Sequence, residues 1–211
     1  MIQPSIDLRS DTITRPTSDM LKAMYEAKTG DDVFAEDPAA VELQERCAAL
    51  FGHESALYCP SGTMTNQIAI NVHVRPGDEV VCDRKSHIYN YEGGGIARNS
   101  GASVRLIEGD NGRFRWSDVI SEINPSDSHY ARTSLVSVED TCNRGGGSVW
   151  DLQDLRDIQT GCRGINLPLH LDGARVWNAL IARNNNAVPT EDIWRSYGKT
   201  FDSISVCFSK G

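Results

Sequence analysis

Short apolar runs alternate with helical patterns from Ser55 to the end of this 211-residue chain, and this alternation limits the possible folds more than any other feature. The apolar runs predict strands at residues 56–59, 79–82, 103–107, 134–138, 169–172 and 203–208. Helical patterns between or after them lie at residues 64–74, 88–98, 117–123, 152–160, 175–183 and 191–196. Because continuous apolar runs suit strands covered on both faces, we predict an α/β fold: a mostly parallel sheet between two layers of helices.

Two further helical patterns precede this α/β core. The first can begin at a cap formed by Thr17 or Ser18, and the second has Asp37 as its cap, followed by a proline at the first helical position. We therefore predict one large domain, built from an N-terminal segment at residues 1–52 and an α/β core at residues 53–211.

Composition and charge exclude several kinds of protein. Hydrophobic residues make up 39% of the chain and charged residues 24%, as in soluble globular proteins. The formal net charge of -8 repels phosphate backbones, so we expect no nucleic-acid partner. The chain has no basic, apolar leader and no apolar run of membrane-spanning length, so we expect no membrane association and a cytoplasmic location. The six cysteines form no zinc-like spacing, so we expect no metal site.

A short polar turn, Ser61, Gly62 and Thr63, lies between a predicted strand and a predicted helix. Glycine lets the backbone approach a ligand closely, and the helix N-terminus offers free N–H groups, so this turn can bind a phosphate. On its own, the turn is weak evidence, because such a turn is more often a plain strand-to-helix connection. It is not a P-loop, and the glycines at residues 93–95 do not complete a dinucleotide-binding motif.

Four ionisable side chains follow predicted strands, at the edge where open α/β sheets bind ligands. Asp172 closes one strand, Lys210 follows the last one, His87 follows the strand near residue 82, and Arg175 opens the helix after Asp172. Taken singly, His87 could be a capping or surface histidine and Arg175 an ordinary ion-pair partner. His129, before the strand at 134–138, reads on its own as a loop histidine.

In combination, these groups predict a site for pyridoxal phosphate. A lysine can hold the aldehyde as a Schiff base, and a carboxylate can keep the pyridine nitrogen protonated, so that the ring accepts electrons. The imidazole of His87 can stack on the ring, and the turn at residues 61–63 can hold the phosphate.

The chain resembles the threonine aldolase family, within the aspartate-aminotransferase-like fold of pyridoxal-phosphate enzymes. The resemblance rests on stretches in family order at residues 7–12 (DLRSDT), 30–38 (GDDVFAEDP), 61–63 (SGT), 86–87 (SH), 129–133 (HYART), 171–175 (LDGAR) and 209–211 (SKG). It implies that Lys210 carries the cofactor, that Asp172 faces the pyridine nitrogen and that Arg175 contacts the ring hydroxyl oxygen. It further implies that His87 stacks on the ring and that the phosphate lies at residues 61–63.

The same resemblance implies a reaction and an assembly. The enzyme would cleave L-threonine or L-allo-threonine to glycine and an aldehyde, with Ser10 helping to hold the substrate carboxylate. His87 or His129 would remove the hydroxyl proton, directly or through water. Family members assemble as dimers or tetramers, so we expect a homo-oligomer. A β-eliminating lyase or aminotransferase of the same fold, or a non-catalytic remnant, are the alternatives.

Three departures from the family pattern bear on these expectations. Phe34 stands where many members have tyrosine, and Cys142 stands where many have histidine. The sequence stops one residue after Lys210, so we expect the C-terminal part of the large domain and the small domain to be absent, together with an arginine for the substrate carboxylate. If these 211 residues were the whole product, we would expect weak activity or none.

Overall fold

A single parallel sheet organises the computed structural model, which describes residues 6–210. Within that range the strands are Glu79–Asp83 (β1), Ser103–Ile107 (β2), Thr133–Glu139 (β3), Leu169–Gly173 (β4) and Ser203–Val206 (β5). They lie in the order β2-β1-β3-β4-β5, and every neighbouring pair is parallel. The predicted α/β fold is therefore confirmed.

Helices cover both faces of the sheet. The α-helices of the described residues are Ser18–Glu26 (α1), Pro38–Phe51 (α2), Gly62–His73 (α3), His87–Asn90 (α4), Gly95–Ser100 (α5), Trp116–Ser121 (α6), Leu152–Gly164 (α7), Val176–Arg183 (α8) and Glu191–Gly198 (α9). Two 3-10 turns lie at Asp11–Ile13 and Asp32–Phe34. No helix in this part of the chain is both long and apolar enough to cross a membrane.

Successive residues of each strand point into two separate cores. Val81, Val136 and Leu171 belong to the larger core, whereas Val80 and Leu135 belong to a smaller core that also contains residues of α3 and α5. This alternation is expected when helices cover both sides of a parallel sheet. By the same period of two, His170 and Asp172 point to the α3 side, opposite to Leu171.

The two N-terminal helices begin at caps that the sequence predicted. The hydroxyl of Thr17 accepts from the N–H of Met20 at 3.3 Å. Asp37 Oδ1 accepts from two backbone N–H groups at 3.0 Å, just ahead of Pro38. These contacts supply partners for N–H groups that a helix cannot satisfy by itself.

Two predicted elements are wrong. Residues 56–59 form no strand: the N–H of Tyr58 donates to the side-chain oxygen of Gln44 at 2.9 Å, and the segment has no ladder partner. The helix predicted at residues 88–98 is split into α4 and α5, because Gly93 and Gly94 adopt positive φ values of 64° and 68°. Glycine tolerates this left-handed conformation, which ends a right-handed helix.

Candidate functional site

Three acidic or basic groups meet at the carboxyl edge of the sheet. Glu139 ends β3 and is paired in register with Asp172 of β4. His87 opens α4, a short turn after the end of β1, and its backbone N–H donates to Glu139 Oε2 at 2.9 Å. Since carboxyl ends of parallel strands share one edge, three separate parts of the sequence converge here.

Asp172 is a buried carboxyl group with few partners for its charge. It is 2% exposed; Oδ2 accepts from Asn66 Nδ2 at 2.9 Å and Oδ1 from the N–H of Ala174 at 3.2 Å. Burial, and then the nearby charge of Glu92, raise its pKa above the ordinary value. A cation placed against this carboxylate, such as a protonated ring nitrogen, would relieve that penalty.

The imidazole of His87 is half-buried and held on one side by a carboxylate. Its Nδ1 lies 2.9 Å from Glu92 Oε1, and the side chain of Glu92 is fully buried. The hydrogen bond to Glu92 raises the pKa of His87, against the opposing effect of burial. The ring centroid of Tyr91 lies 5.3 Å away.

Two residues of this cluster, Glu92 and Glu139, were not predicted from the sequence. Burial and the charge of Asp172 raise the pKa of Glu139 to about 7. Glu139 closes a buried strand, the same signal that identified Asp172, so it could have been found. Glu92 lies in the break between α4 and α5, where no strand end or motif marks it.

Donor atoms of His87, Glu92 and Asp172 lie within 4.8 Å of one another, close enough to hold a metal ion. Asn66 Nδ2 already lies between the two acids, at 2.8 Å from Glu92 Oε1 and 2.9 Å from Asp172 Oδ2. The amide therefore occupies the position that a cation would take between these carboxylates. That this protein has no metal site stays a prediction.

The polar turn at residues 61–63 forms the N-terminus of α3. Ser61 caps the helix, with its Oγ accepting from the N–H of Met64 at 3.1 Å. Gly62 and Thr63 occupy the first helical positions, where backbone N–H groups have no carbonyl partner within the helix. A Cβ at Gly62 would lie 2.5 Å from Cys207 Sγ, so glycine lets the turn pack against the segment that leads to Lys210.

Arg175 is bound by an acid from the N-terminal segment. Its Nε and Nη2 lie 2.5 and 2.8 Å from the two carboxylate oxygens of Asp11. Arg175 therefore forms an ordinary ion pair, which was the alternative role considered for it. The pair holds Asp11, the neighbour of Ser10, at the same edge. The hydrogen bond from Arg175 lowers the pKa of Asp11, and the charge of Lys210 contributes to lowering it.

His129 lies apart from the other predicted site residues. It precedes the amino end of β3, its side chain is 87% exposed, and its Nδ1 is 2.7 Å from Asp127 Oδ1. The cluster at His87 lies at the carboxyl ends of the strands, so this chain does not bring the two histidines together. Within the chain, a role for His129 as proton acceptor has no geometric support.

The two substituted positions differ in their surroundings. Phe34 is 72% exposed in its 3-10 turn. Cys142 is buried, and burial followed by the charge of Glu139 raises the pKa of its thiol to about 12. The thiol therefore stays neutral at physiological pH and is a poor metal ligand.

A parallel sheet with a buried acid, an imidazole and a helix N-terminus at its carboxyl edge is typical of α/β proteins that bind a ligand at this edge. The family described as beta-eliminating lyase matches residues 7–211. The chain belongs to this family.

Known proteins similar to this chain include two enzymes and one solved structure. The low specificity L-threonine aldolase of Saccharomyces cerevisiae is 41% identical over 208 residues, which cover 97% of this chain and 51% of that protein. The enzyme of the same name from Escherichia coli O157:H7 is 38% identical, covering 98% and 59%. The threonine aldolase structure from Leishmania major aligns with a TM-score of 0.71 at 25% identity, covering 81% and 50%. The chain thus spans about half the length of the relatives it matches.

Proposed function

We propose that this chain is the cofactor-binding part of a pyridoxal-phosphate-dependent lyase that cleaves L-threonine and L-allo-threonine to glycine and an aldehyde. The observation that carries the proposal is the buried carboxylate of Asp172, at the carboxyl edge of the sheet and close to His87. The similarity to proteins named low specificity L-threonine aldolase supports this choice of substrate.

The residues at the site fit this cofactor by their chemistry. A buried acid whose pKa is raised suits a protonated pyridine nitrogen, and the N-terminus of α3 at residues 61–63 suits a phosphate. Arg175 would meet the ring oxygen and Lys210 the aldehyde, while the face of His87 would cover the ring. When bound, pyridoxal phosphate withdraws the electrons left on the substrate Cα as the Cα–Cβ bond breaks.

The chain itself would bind the substrate and handle its protons. Glu92 holds Nδ1 of His87, so Nε2 is the nitrogen that can accept a proton from the substrate hydroxyl. Ser10 would help to hold the substrate carboxylate, and the pair of its neighbour Asp11 with Arg175 supports this role. Burial of the acids keeps water away from them and strengthens these interactions.

We also propose that the protein works as a homodimer or homotetramer in the cytoplasm, where it supplies glycine and breaks down threonine. Exposed apolar side chains of the N-terminal segment support self-association: Leu8 is 90% and Tyr25 is 91% exposed. All six cysteines are unpaired, which suits a reducing compartment.

Reductive labelling tests the cofactor assignment. The protein is mixed with pyridoxal phosphate, reduced with borohydride and mapped by peptide mass spectrometry; we expect the adduct on Lys210. Asp172→Asn should weaken cofactor binding, whereas Asp202→Asn, an acid at the opposite edge of the sheet, should not. Labelling at another lysine, or none, contradicts the assignment.

Product analysis tests the reaction on a protein that contains this chain. Incubation with L-threonine should yield acetaldehyde and glycine. The description of the matched family favours one second candidate, a β-eliminating lyase, which would yield ammonia and a keto acid. A cooperative unfolding transition that cofactor leaves unchanged would instead indicate a non-catalytic chain.

A further inference from the structure

The side chain of Asn66 lies between two buried acids and a buried histidine. Its Nδ2 is 2.9 Å from Asp172 Oδ2 and 2.8 Å from Glu92 Oε1, and its Oδ1 is 3.2 Å from His170 Nε2. Asn66 is 3% exposed and His170 is fully buried. An amide has two N–H donors and one oxygen, so these contacts use all of its hydrogen-bonding groups.

The two acids fix the direction of this amide. Ionised carboxylate oxygens only accept hydrogen bonds, so the amide nitrogen must face Asp172 and Glu92, and its oxygen must face His170. Burial lowers the pKa of His170 to about 3, so its ring is neutral at physiological pH. Nε2 must then carry the single ring proton, which leaves Nδ1 as an acceptor.

Ser203 and His73 continue the chain of hydrogen bonds away from the site. The hydroxyl of Ser203 lies 2.9 Å from His170 Nδ1 and 2.9 Å from His73 Nε2. Because Nδ1 of His170 carries no proton, the Ser203 hydroxyl donates to it and accepts a hydrogen bond from Nε2–H of His73. Every donor from His73 to Asn66 therefore points toward the acids, although the carbonyl oxygen of Ser203, which can only accept, also lies 3.2 Å from His170 Nδ1.

Without the amide, the two acids would interact differently. Neighbouring buried carboxyl groups avoid the repulsion of two charges by sharing one proton, and each then becomes the partner of the other. An acid in such a pair is no longer available as a full negative charge for a ligand or a histidine. Asn66 supplies one donor to each acid and so favours two ionised carboxylates over a shared proton.

We propose that Asn66, oriented by the Nε2–H of His170, is a positioning residue that assigns the two buried acids to different partners. The carboxylate of Asp172 stays available to the ring nitrogen of the cofactor, and that of Glu92 stays available to Nδ1 of His87. The part of this proposal that concerns Asp172 rests on the proposed function; the orientation of the amide does not.

The tautomer of His170 tests the orientation without cofactor. Nitrogen-15 NMR of histidine-labelled protein should show a neutral His170 ring with its proton on Nε2. Asn66→Leu removes the acceptor of that proton and should shift the ring toward the Nδ1–H form, which can donate to the Ser203 carbonyl oxygen 3.2 Å away. An Nδ1–H ring in the wild-type protein would overturn the proposal.

Cofactor binding tests the consequence. Asn66→Asp, which keeps the shape and loses the donors, and Asn66→Leu should each weaken pyridoxal phosphate binding by roughly tenfold or more. Asn71→Leu is the matched control, because Asn71 lies on the same helix and donates to Asn99 and Ser100 outside the site. It should bind cofactor as the wild type does.

A second pair of variants separates positioning from folding. His170→Gln keeps an N–H donor for Asn66 and should retain most of the cofactor affinity, whereas His170→Leu should lose it to the same extent as Asn66→Leu. Folded Asn66 variants that bind pyridoxal phosphate with wild-type affinity would overturn the proposal. If the wild type itself binds no pyridoxal phosphate, the proposed function fails, and the tautomer of His170 still decides how the amide is oriented.

Discussion

Asp11 and Arg175 form a two-point ion pair across 164 residues of sequence, with nitrogen–oxygen distances of 2.5 and 2.8 Å. The pair joins the N-terminal segment to Arg175, which lies in the turn between β4 and α8. Because the two side chains are only 24% and 15% exposed, solvent screens them less than an ordinary surface pair. This single contact links the part of the chain that carries Ser10 to the part that carries Asp172.

Asp11→Asn should lower the free energy of unfolding by about 1 kcal/mol at pH 7, because the charge of the acid is lost while its shape remains. The pKa of Asp11 is lowered in the folded protein. Its stabilising effect is therefore complete above the ordinary aspartate pKa and is lost as pH falls through the lowered value. Urea unfolding at pH 7 and at successively lower pH measures this difference. Asp7→Asn is the control, since Asp7 pairs with the exposed Arg9, two residues away; an equal loss there would contradict the prediction.

Glu92→Gln should lower the pKa of His87, because the hydrogen bond to Glu92 is the main cause of its raised value. Proton NMR of the ring across pH 5 to 9 measures it. A histidine with a raised pKa stabilises the fold fully below its unfolded value, about 6.5, and loses that effect as pH rises through the raised value. The stability difference between wild type and variant should therefore shrink at alkaline pH. Glu108→Gln, in an exposed pair with Arg84, should leave His87 unchanged, and an unchanged pKa in Glu92→Gln would contradict the prediction.

Arg183→Met should destabilise the fold by roughly 3–5 kcal/mol, because it leaves a buried charge without its partner. Asp140, whose side chain is fully buried, accepts from Arg183 Nη2 and from the hydroxyl of Tyr197, both at 2.6 Å. Chemical denaturation measures the loss. Arg84→Met removes an exposed pair and should change stability by less than about 1 kcal/mol. Similar losses of stability in Arg183→Met and Arg84→Met would show that burial does not determine how strongly the pair of Arg183 with Asp140 stabilises the fold.

Gly198→Ala should destabilise the packing of α9 on α2 by about 1–3 kcal/mol or more. A Cβ at this position would lie 2.0 Å from the carbonyl oxygen of Phe51, a backbone atom that cannot move without shifting α2. Thermal unfolding measures the effect. Gly164→Ala, at the end of α7 with no atom within 4 Å of the added Cβ, should be neutral or slightly stabilising. A neutral Gly198→Ala would mean that the two helices are not in close contact.

The sequence predicted Asp172 and His87, whose positions follow from strand order, and missed Asn66 and Glu92, whose positions follow from packing. Glu139 also follows from strand order and was missed. Asp172 closes a buried apolar run and His87 follows another after a short turn, and both could be found because parallel strands end at one edge. Asn66 and Glu92 come from a helix interior and from a break between helices. Their positions depend on how α3 lies on the sheet, which no local pattern encodes.

The same distinction explains the two elements that were wrongly predicted. Residues 56–59 have the apolar composition of a strand, but a strand also needs a neighbour, and here Gln44 takes the hydrogen bond of Tyr58. The break at Gly93 and Gly94 was visible as a glycine run. Its consequence, that Glu92 turns inward toward His87, required the three-dimensional fold.

The contact between Asn66 and Asp172 joins residues 106 positions apart, and this spacing has a consequence for biosynthesis. While the ribosome is still making the chain, β1, β2 and β3 can pair as soon as they emerge, because they precede residue 140. Asp172 reaches the site only after β4 has left the exit tunnel and paired with β3. Cofactor supplied during translation should therefore find no Asp172 carboxylate to bind until β4 has emerged and paired with β3.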